Sequence, residues 1–418
     1  MEKIVIAGGG FAGVNLAMGL LKNKAYEIVL VDRNNYNYFS PLLYQVSTAF
    51  LEPSSICYPF RKLFRDGGIS YRLGEIVRID TSEQILVLSD GQITYDHLII
   101  ATGAAINYFG NESIRQNAIP MKTVDDALQM RNTIVKRWEK AAITTDPVEK
   151  QKLLNMVVAG GGPTGVEVAG MLAEIKKFIL AREYPEFKTY PCEIYLVDGG
   201  SSLLRSMSAK TQKHAENVLN RLHVKIILNT TVSELKDGYV KLSNGEAIEA
   251  YTLIWAAGVT IKRFDGIPED SFAKTGRMFT DEFHRVKGVE NIYAIGDCAI
   301  QTHEAAFPNG HPQQAQTAIQ HGTHLAKNFT LRAAGKEERP FRYNDKGELV
   351  VIGRNQAAGD LFKVRFHVQG YPALFLWLFV HLTGLLNPTN RMRTLNSWIV
   401  AYLSRDQALR MIFRSKAD

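Results

Sequence analysis

The chain builds nearly the same glycine-rich turn twice: "KIVIAGGGFAGVNLA" at residues 3–17 and "MVVAGGGPTGVEVAG" at residues 156–170. In each copy a short run of buried-strand character leads into G-x-G-x-x-G and then into a helical pattern. The first glycine of such a turn permits its tight bend, and the second lets the backbone approach a pyrophosphate. The third lets helix and strand pack closely, while the helix N-terminus adds amide donors and positive potential. A lone copy also serves plain packing, so its context decides. Here "EIVLVDRN" supplies a second strand ending in Asp32, and "CEIYLVDGG" supplies one ending in Asp198. A carboxylate at that point accepts hydrogen bonds from a ribose. The pattern is that of an α/β protein with two Rossmann-like dinucleotide-binding domains.

Three more strands end in small residues: "YDHLIIATG", "AYTLIWAAG" and "NIYAIGDCA", the last carrying Asp297. The expected first domain is discontinuous, residues 1–115 and 275–345. The second, 116–274, is inserted in it, and 346–418 form a C-terminal region. At 418 residues, 46% hydrophobic and 22% charged, the chain can fill two or three cores. A net charge of +7 with no basic tract gives no reason to expect nucleic acid. Cys57, Cys192 and Cys298 are scattered, with neither a C-x-x-C pair nor metal-ligand spacing. That argues against a disulfide framework and suits a reducing compartment. A strand beginning at Lys3 leaves no space for a leader, so an intracellular location is expected.

Asp198 bears on which dinucleotide the second turn takes. Its charge would repel a 2′-phosphate, and no arginine follows until Arg205, which favours NADH over NADPH. Glu167, just inside the second helix, admits two readings: facing the nicotinamide, or solvating the first helical turn.

The ordered set of turns, terminal acids, "IIATG", "IWAAG" and "AIGD" resembles the two-dinucleotide-binding flavoprotein superfamily. The resemblance implies non-covalent FAD on the first turn, at Gly8, Gly10, Phe11, Ala12, Gly13, Asp32 and Arg33. Ile76, Thr102, Gly103 and Asp297, with Asp297 on the ribityl chain, extend that site. It implies NADH at Gly160, Gly162, Pro163, Thr164, Gly165, Glu167, Asp198 and Gly258.

Disulfide reductases of that superfamily carry a cysteine pair beside the flavin, and sulfide:quinone reductases need at least two. Here that stretch holds only Cys57. Its segment "FSPLLYQVSTAFLEPSSI" is instead similar to the type II NADH dehydrogenases, single-chain NADH:quinone oxidoreductases of respiratory membranes. "QAQTAIQ" contains their A-Q-x-x-x-Q signature as Ala315, Gln316 and Gln320. The resemblance implies Ala315 and Gln316 at the flavin, and Tyr44, Gln45, Gln316 and Gln320 at a membrane quinone, with the two glutamines sharing a helix face. Solvated glutamines on an amphipathic helix are the plain alternative. Family members often carry Glu where Met171 stands and Lys where Gln356 stands, so proton delivery from those positions is not carried over. The other functions open to this frame are a sulfide:quinone or other NAD(P)H reductase, and a redox-gated flavoprotein resembling the apoptosis-inducing factors.

"YPALFLWLFVHLTGLL" at 371–386 is too short to span a bilayer. Beyond it Met392, Leu395, Trp398, Ile399, Tyr402, Leu403, Leu409 and Ile412 recur at helical spacing, among Arg391, Arg393, Arg405, Arg410 and Arg414. Such a tail suits an interfacial helix on anionic lipid, which predicts a peripheral protein on the cytoplasmic face of the cell membrane. Packing on the protein's own core or on a homodimer partner is the other reading. On the first, removing 371–418 should spare both dinucleotide sites.

Overall fold

The computed structural model describes residues 1–362, 366–404 and 410–412. It divides into two units. The first comprises Met1–Tyr38, Cys57–Ala105 and Val259–Asn344, and the second Phe39–Ile56, Ile106–Gly258 and Asp345–Asp418. Residues 106–258 of the second unit interrupt the first along the chain. Residues 39–56 and everything from 345 onward belong with the second unit, because side chains of the tail bury against that early segment, as described below.

The elements that position the sites are, in chain order, β1 (Glu2–Ala7), α1 (Phe11–Leu20), β2 (Tyr26–Asp32), β3 (Ser70–Leu73) and β4 (His97–Ile100). Next come β5 (Ile119–Pro120), α2 (Val124–Ile143), β6 (Met156–Ala159), α3 (Pro163–Ile175), β7 (Ile194–Val197), α4 (Ala209–Arg221) and β8 (Val224–Ile227). They are followed by β9 (Thr252–Trp255), β10 (Ile292–Ala294) and α5 (Ala315–Ala333). The chain closes with β11 (Gly347–Val351), β12 (Ala357–Leu361), β13 (Phe366–Gln369), α6 (Tyr371–Gly384) and α7 (Pro388–Ser404).

The first unit's main sheet is ordered β10-β4-β1-β2-β3, and the second's β5-β9-β6-β7-β8, each parallel throughout. The copies agree beyond the sheet. In each, a three-stranded antiparallel meander (76–94 and 232–249) stands between the third strand and the strand that returns beside the first. β4, β6 and β9 are buried along their whole length, as a parallel sheet covered on both faces requires. This is why "HLII", "MVVA" and "TLIW" read as continuous apolar runs rather than alternating ones.

Helix starts separate scaffold from site. α2 begins with a capping box between Thr123 and Asp126, and α4 with Ser208 accepting the Thr211 N–H. α1 and α3 begin at Gly10 and Gly162 with no side-chain cap and no acid in the first turn. Their first amides point past the carboxyl edge of the sheet, where an anion would satisfy them.

Candidate dinucleotide sites

The two turns share one geometry. Gly8 and Gly160 have φ of +113° and +112°, open only to glycine at little cost. A Cβ on either would collide with a backbone carbonyl, of Ala101 and Ala256 respectively. A Cβ on Gly13 would strike the Gly8 oxygen, and one on Gly165 the Gly160 oxygen, so both third glycines are set by close helix–strand approach. Around Gly10 and Gly162 a Cβ would meet nothing within 4 Å. The backbone is open at the point where a pyrophosphate would lie.

The terminal acids do more than wait for a ribose. Asp32 accepts the Gly9 N–H at 2.6 Å and the Asn34 N–H at 2.7 Å, and Asp198 accepts Gly161 and Gly200 N–H groups, both at 2.7 Å. Each carboxylate therefore also fixes its own turn. Burial raises the Asp32 pKa, against the pull of those two amides.

In the first unit α1 and α5 pack backbone to backbone: a Cβ on Gly322 would collide with the Ala12 carbonyl. At Gly296, next to Asp297, a Cβ would lie 3.1 Å from Ala12 Cβ and 3.4 Å from Ala318 Cβ. The first turn, Asp297 and the uncapped start of α5, with Ala315 and Gln316, thus converge. The Thr102 and Thr317 hydroxyls in this unit are buried without a protein partner. Gly103 faces open space, Phe11 is half-buried and Arg33 is exposed. Ile76 packs in the apolar core with Val29 and Val31.

In the second unit Pro163 is half-buried and Thr164 exposed at the start of α3. Glu167 is buried, which removes the solvated reading. The Val351 amide of β11 donates to it, yet burial dominates and raises its pKa well above the usual carboxylate range. Arg205, distant from Asp198 along the chain, turns back so that its guanidinium lies 3.7 Å from the Asp198 carboxylate. A Cβ on Gly258 would lie 2.9 Å from Phe109 Cζ.

Residues 2–322 match the family described as pyridine nucleotide-disulphide oxidoreductase. A type II NADH:quinone oxidoreductase of Mycobacterium tuberculosis is 34% identical over 423 residues, covering 96% of this chain and 88% of that protein. The chain belongs to the type II NADH:quinone oxidoreductases. The structure of NDH2 from Plasmodium falciparum in complex with NADH has the same fold, with a TM-score of 0.90 at 23% identity over 99% of this chain and 100% of that one. The sulfide:quinone oxidoreductase of Aquifex aeolicus is more distant, with a TM-score of 0.74 at 16% identity, covering 97% of this chain and 96% of that one.

The cysteines suit a type II enzyme without a dithiol relay. All three are free, and burial pushes the Cys192 and Cys298 thiols up to about 12, away from the reactive thiolate.

The four residues assigned to quinone divide between the units. Gln316 and Gln320 lie in the first, on α5. The Gln320 amide donates to the Asn344 carbonyl at 2.9 Å and accepts the Asn344 N–H at 3.0 Å, so it clamps the last residue of that unit. Gln316 donates to the Gln314 side chain at 2.9 Å. Tyr44 and Gln45 are buried in the second unit. Gln45 donates to the Tyr44 hydroxyl and accepts the Trp398 indole N–H at 2.8 Å, and Tyr44 stands edge-on to Trp377. Nothing local in the sequence could show that pairing, since Gln45 and Trp398 are 353 positions apart.

The tail packs on the protein's own core, one of the two readings the sequence left open. Trp377 and Trp398 are 1% and 3% exposed and belong to the second unit's core, so removing 371–418 would open that core rather than spare it. The opposite faces are bare. Tyr371, Phe375, Phe379 and Val380 on α6, and Met392, Leu395, Ile399 and Leu403 on α7, are exposed apolar residues, with Phe375 at 68% and Leu403 at 81%. Arg391 is not simply a headgroup contact, because it donates to the Leu385 and Thr383 carbonyls that end α6. Arg410 pairs with Glu183. Arg405, Leu409 and Arg414 lie outside the described residues. Among the described residues no helix is long and apolar enough to cross a membrane.

Proposed function

We propose that this chain oxidises NADH and delivers two electrons to a membrane quinone by way of a non-covalently bound FAD. The observation that carries this is the pair of matching, uncapped glycine turns, one in each unit, in a member of this family. A spectrum recorded while NADH and then a soluble quinone are added tests it: flavin absorbance should bleach and then return. A chain that NADH leaves yellow is not this enzyme.

The first unit fits the flavin. Open space at Gly10, uncapped α1 and α5, and the partnerless Thr102 hydroxyl are the groups such a ligand would satisfy. The Gly8–Gly13 turn would hold the pyrophosphate, Asp32 the adenosine ribose, Asp297 the ribityl chain, and the α5 amides at Ala315 and Gln316 the ring. When bound, the flavin supplies the two-electron chemistry, taking hydride from the nicotinamide and passing electrons to quinone. Denaturation should release it completely, since its holding groups are backbone amides and carboxylates.

In the second unit the α3 amides would bind the NADH pyrophosphate, and Asp198 the adenosine ribose. Arg205 partly balances Asp198, so preference for NADH rests on the carboxylate outweighing a guanidinium already beside it. Glu167 takes the place of Met171 and Gln356 as proton holder. Burial shifts it toward the protonated form, and the Val351 amide keeps it oriented. Gln316 is the quinone-contacting glutamine in this reading, while the Gln320 amide holds the Asn344 backbone.

The bare apolar faces of α6 and α7 are the lipid surface, set for peripheral binding. The reduced cysteines fit a cytoplasmic face, where NADH is available. Phe375→Glu with Phe379→Glu, both on the exposed side, should weaken sedimentation with anionic vesicles about tenfold or more. The same pair leaving vesicle binding intact but dissociating a dimer would assign that face to a second copy.

A further inference from the structure

The segment "NYFGN" at 107–111 holds an aromatic ring where its own unit has no use for one. Phe109 is 65% exposed and sits in the left-handed region, φ +52°, which a bulky side chain rarely adopts. Every neighbouring contact supports that conformation. The Asn107 side chain accepts the Phe109 N–H at 2.8 Å, and the Asn107 N–H donates to the Gly258 carbonyl at 3.1 Å. The Trp255 indole donates to the Asn107 carbonyl at 2.8 Å, and the Asn111 N–H donates to the Tyr108 carbonyl at 2.9 Å. Trp255 supports Phe109 edge-on, with ring centroids 6.4 Å apart.

The place matters as much as the strain. From β6 the chain moves to β7 on one side and returns to β9 on the other, so β6 and β9 flank the switch point at which open α/β sheets bind ligands. The glycine turn crowds the end of β9, where a Cβ on Gly160 would lie 2.8 Å from Ala257 Cα. Gly258 follows, and Phe109 covers it. Asp198 ends β7, on the opposite side of β6. It takes the adenosine ribose, whose 2′-position separates the two nicotinamide cofactors. The other half of the dinucleotide must then run toward β9.

We infer that Phe109 packs against the nicotinamide half of NADH and orients its ring at the β9 edge. The inference rests on the NADH reading of the second turn. A planar ring on a preformed, exposed aromatic gains contact without further ordering cost.

The test uses the flavin-loaded full chain and calorimetric titration with NAD⁺ and with ADP-ribose, which lacks the nicotinamide, beside NADH kinetics. Phe109→Gly removes the ring while relaxing the left-handed backbone, so the variant cannot fail through strain. It should weaken NAD⁺ binding and raise the KM for NADH roughly three- to tenfold, with ADP-ribose affinity unchanged within twofold. Phe109→Leu should resemble it, and Phe109→Tyr should resemble the native chain. Unchanged NAD⁺ affinity in Phe109→Gly overturns the inference. So does a matching loss for ADP-ribose, which would put the ring on the adenosine half or make its role structural. A native chain that binds neither ligand defeats the NADH reading itself, and this inference with it.

Discussion

The two glycine turns differ just before their third glycine: Ala12 is buried in the first, and Thr164 is exposed in the second. Gly9 lies against the Phe60 ring, and its carbonyl takes the Asn37 amide at 2.8 Å. Behind it α1 and α5 meet backbone to backbone. Around the second turn stand exposed Thr164, a largely exposed Arg205 and the bare ring of Phe109. The same backbone device is thus mounted for two purposes. The first turn suits a ligand that stays, and the second a ligand that arrives, reacts and leaves. Turn geometry sets what class of molecule binds, while the surroundings set for how long.

The largest expected effect breaks the two turns separately. Gly13→Ala places a methyl group on the Gly8 oxygen and should yield protein without flavin. Gly165→Ala places one on the Gly160 oxygen and should leave yellow protein whose reduction by NADH falls at least about a hundredfold, the scale of a misplaced reactant. Flavin content and stopped-flow bleaching read the two outcomes. Flavin lost from Gly165→Ala would mean the turns are exchanged in role.

Acid should separate the units next. His284, His311 and His321 are buried in the first unit around the Phe341 ring, and His324 joins them, its Nδ1 3.1 Å from His284 Nε2. Burial lowers the pKa of all four below the usual 6.5. Glu304 opposes the shift at His311, while Arg277 and Lys327 reinforce it at their neighbours. The folded state thus resists protons that the unfolded chain accepts. Stability is complete above pH 6.5 and lost as pH falls below it, by about 1.4 kcal/mol per pH unit for each histidine held neutral. In the second unit His381, lowered to about 4, acts in the same direction on a smaller scale. The four tryptophans all lie in the second unit, so indole fluorescence reports on it and flavin fluorescence on the first. Between pH 7 and 5, flavin release should precede the change in indole emission. The reverse order would make the tail unit the weaker one.

Asp198→Ala sharpens the comparison at the second turn. It removes the repulsion of a 2′-phosphate and leaves Arg205 in place to attract one. The NADH-to-NADPH ratio of kcat/KM should drop about tenfold or more. The variant also loses the bonds to Gly161 and Gly200, so some loss with both cofactors is expected, and the ratio is the informative quantity. An unchanged ratio would show that Arg205 already cancels the carboxylate.

These cases mark what was legible in the sequence. Both turns, their acids and the strands that flank them were readable from glycine spacing and apolar runs, whereas the outer strands Ser70–Leu73, Ile119–Pro120 and Val224–Ile227 carry no such mark. Gln45 with Trp398, and Arg205 with Asp198, were not readable. Their partners meet only once the chain has folded, and neither a polar residue in a loop nor a tryptophan in an apolar helix announces which side it will face. Helical spacing in the tail was real, but period alone could not say that Trp398 points inward while Ile399 and Leu403 point out.

The smallest expected effect concerns the glutamines of α5, where the sequence suggested equal roles and the structure does not. Gln320 is half-buried with both ends of its amide on the Asn344 backbone, so Gln320→Ala removes two hydrogen bonds that water can partly replace. The cost should be about 1 kcal/mol of stability, read as a small drop in Tm. Reoxidation of the flavin by quinone should slow only two- to threefold, roughly the range in which such a clamp shifts its neighbours. Reduction by NADH should not change. Gln316→Ala, at the uncapped start of the helix, should slow reoxidation more and leave Tm where it was. If instead Gln320→Ala slows reoxidation tenfold with no loss of Tm, then its amide leaves Asn344 for the quinone during turnover. The clamp would then be the resting state of a quinone contact, and the two glutamines would have the matching roles their spacing first suggested.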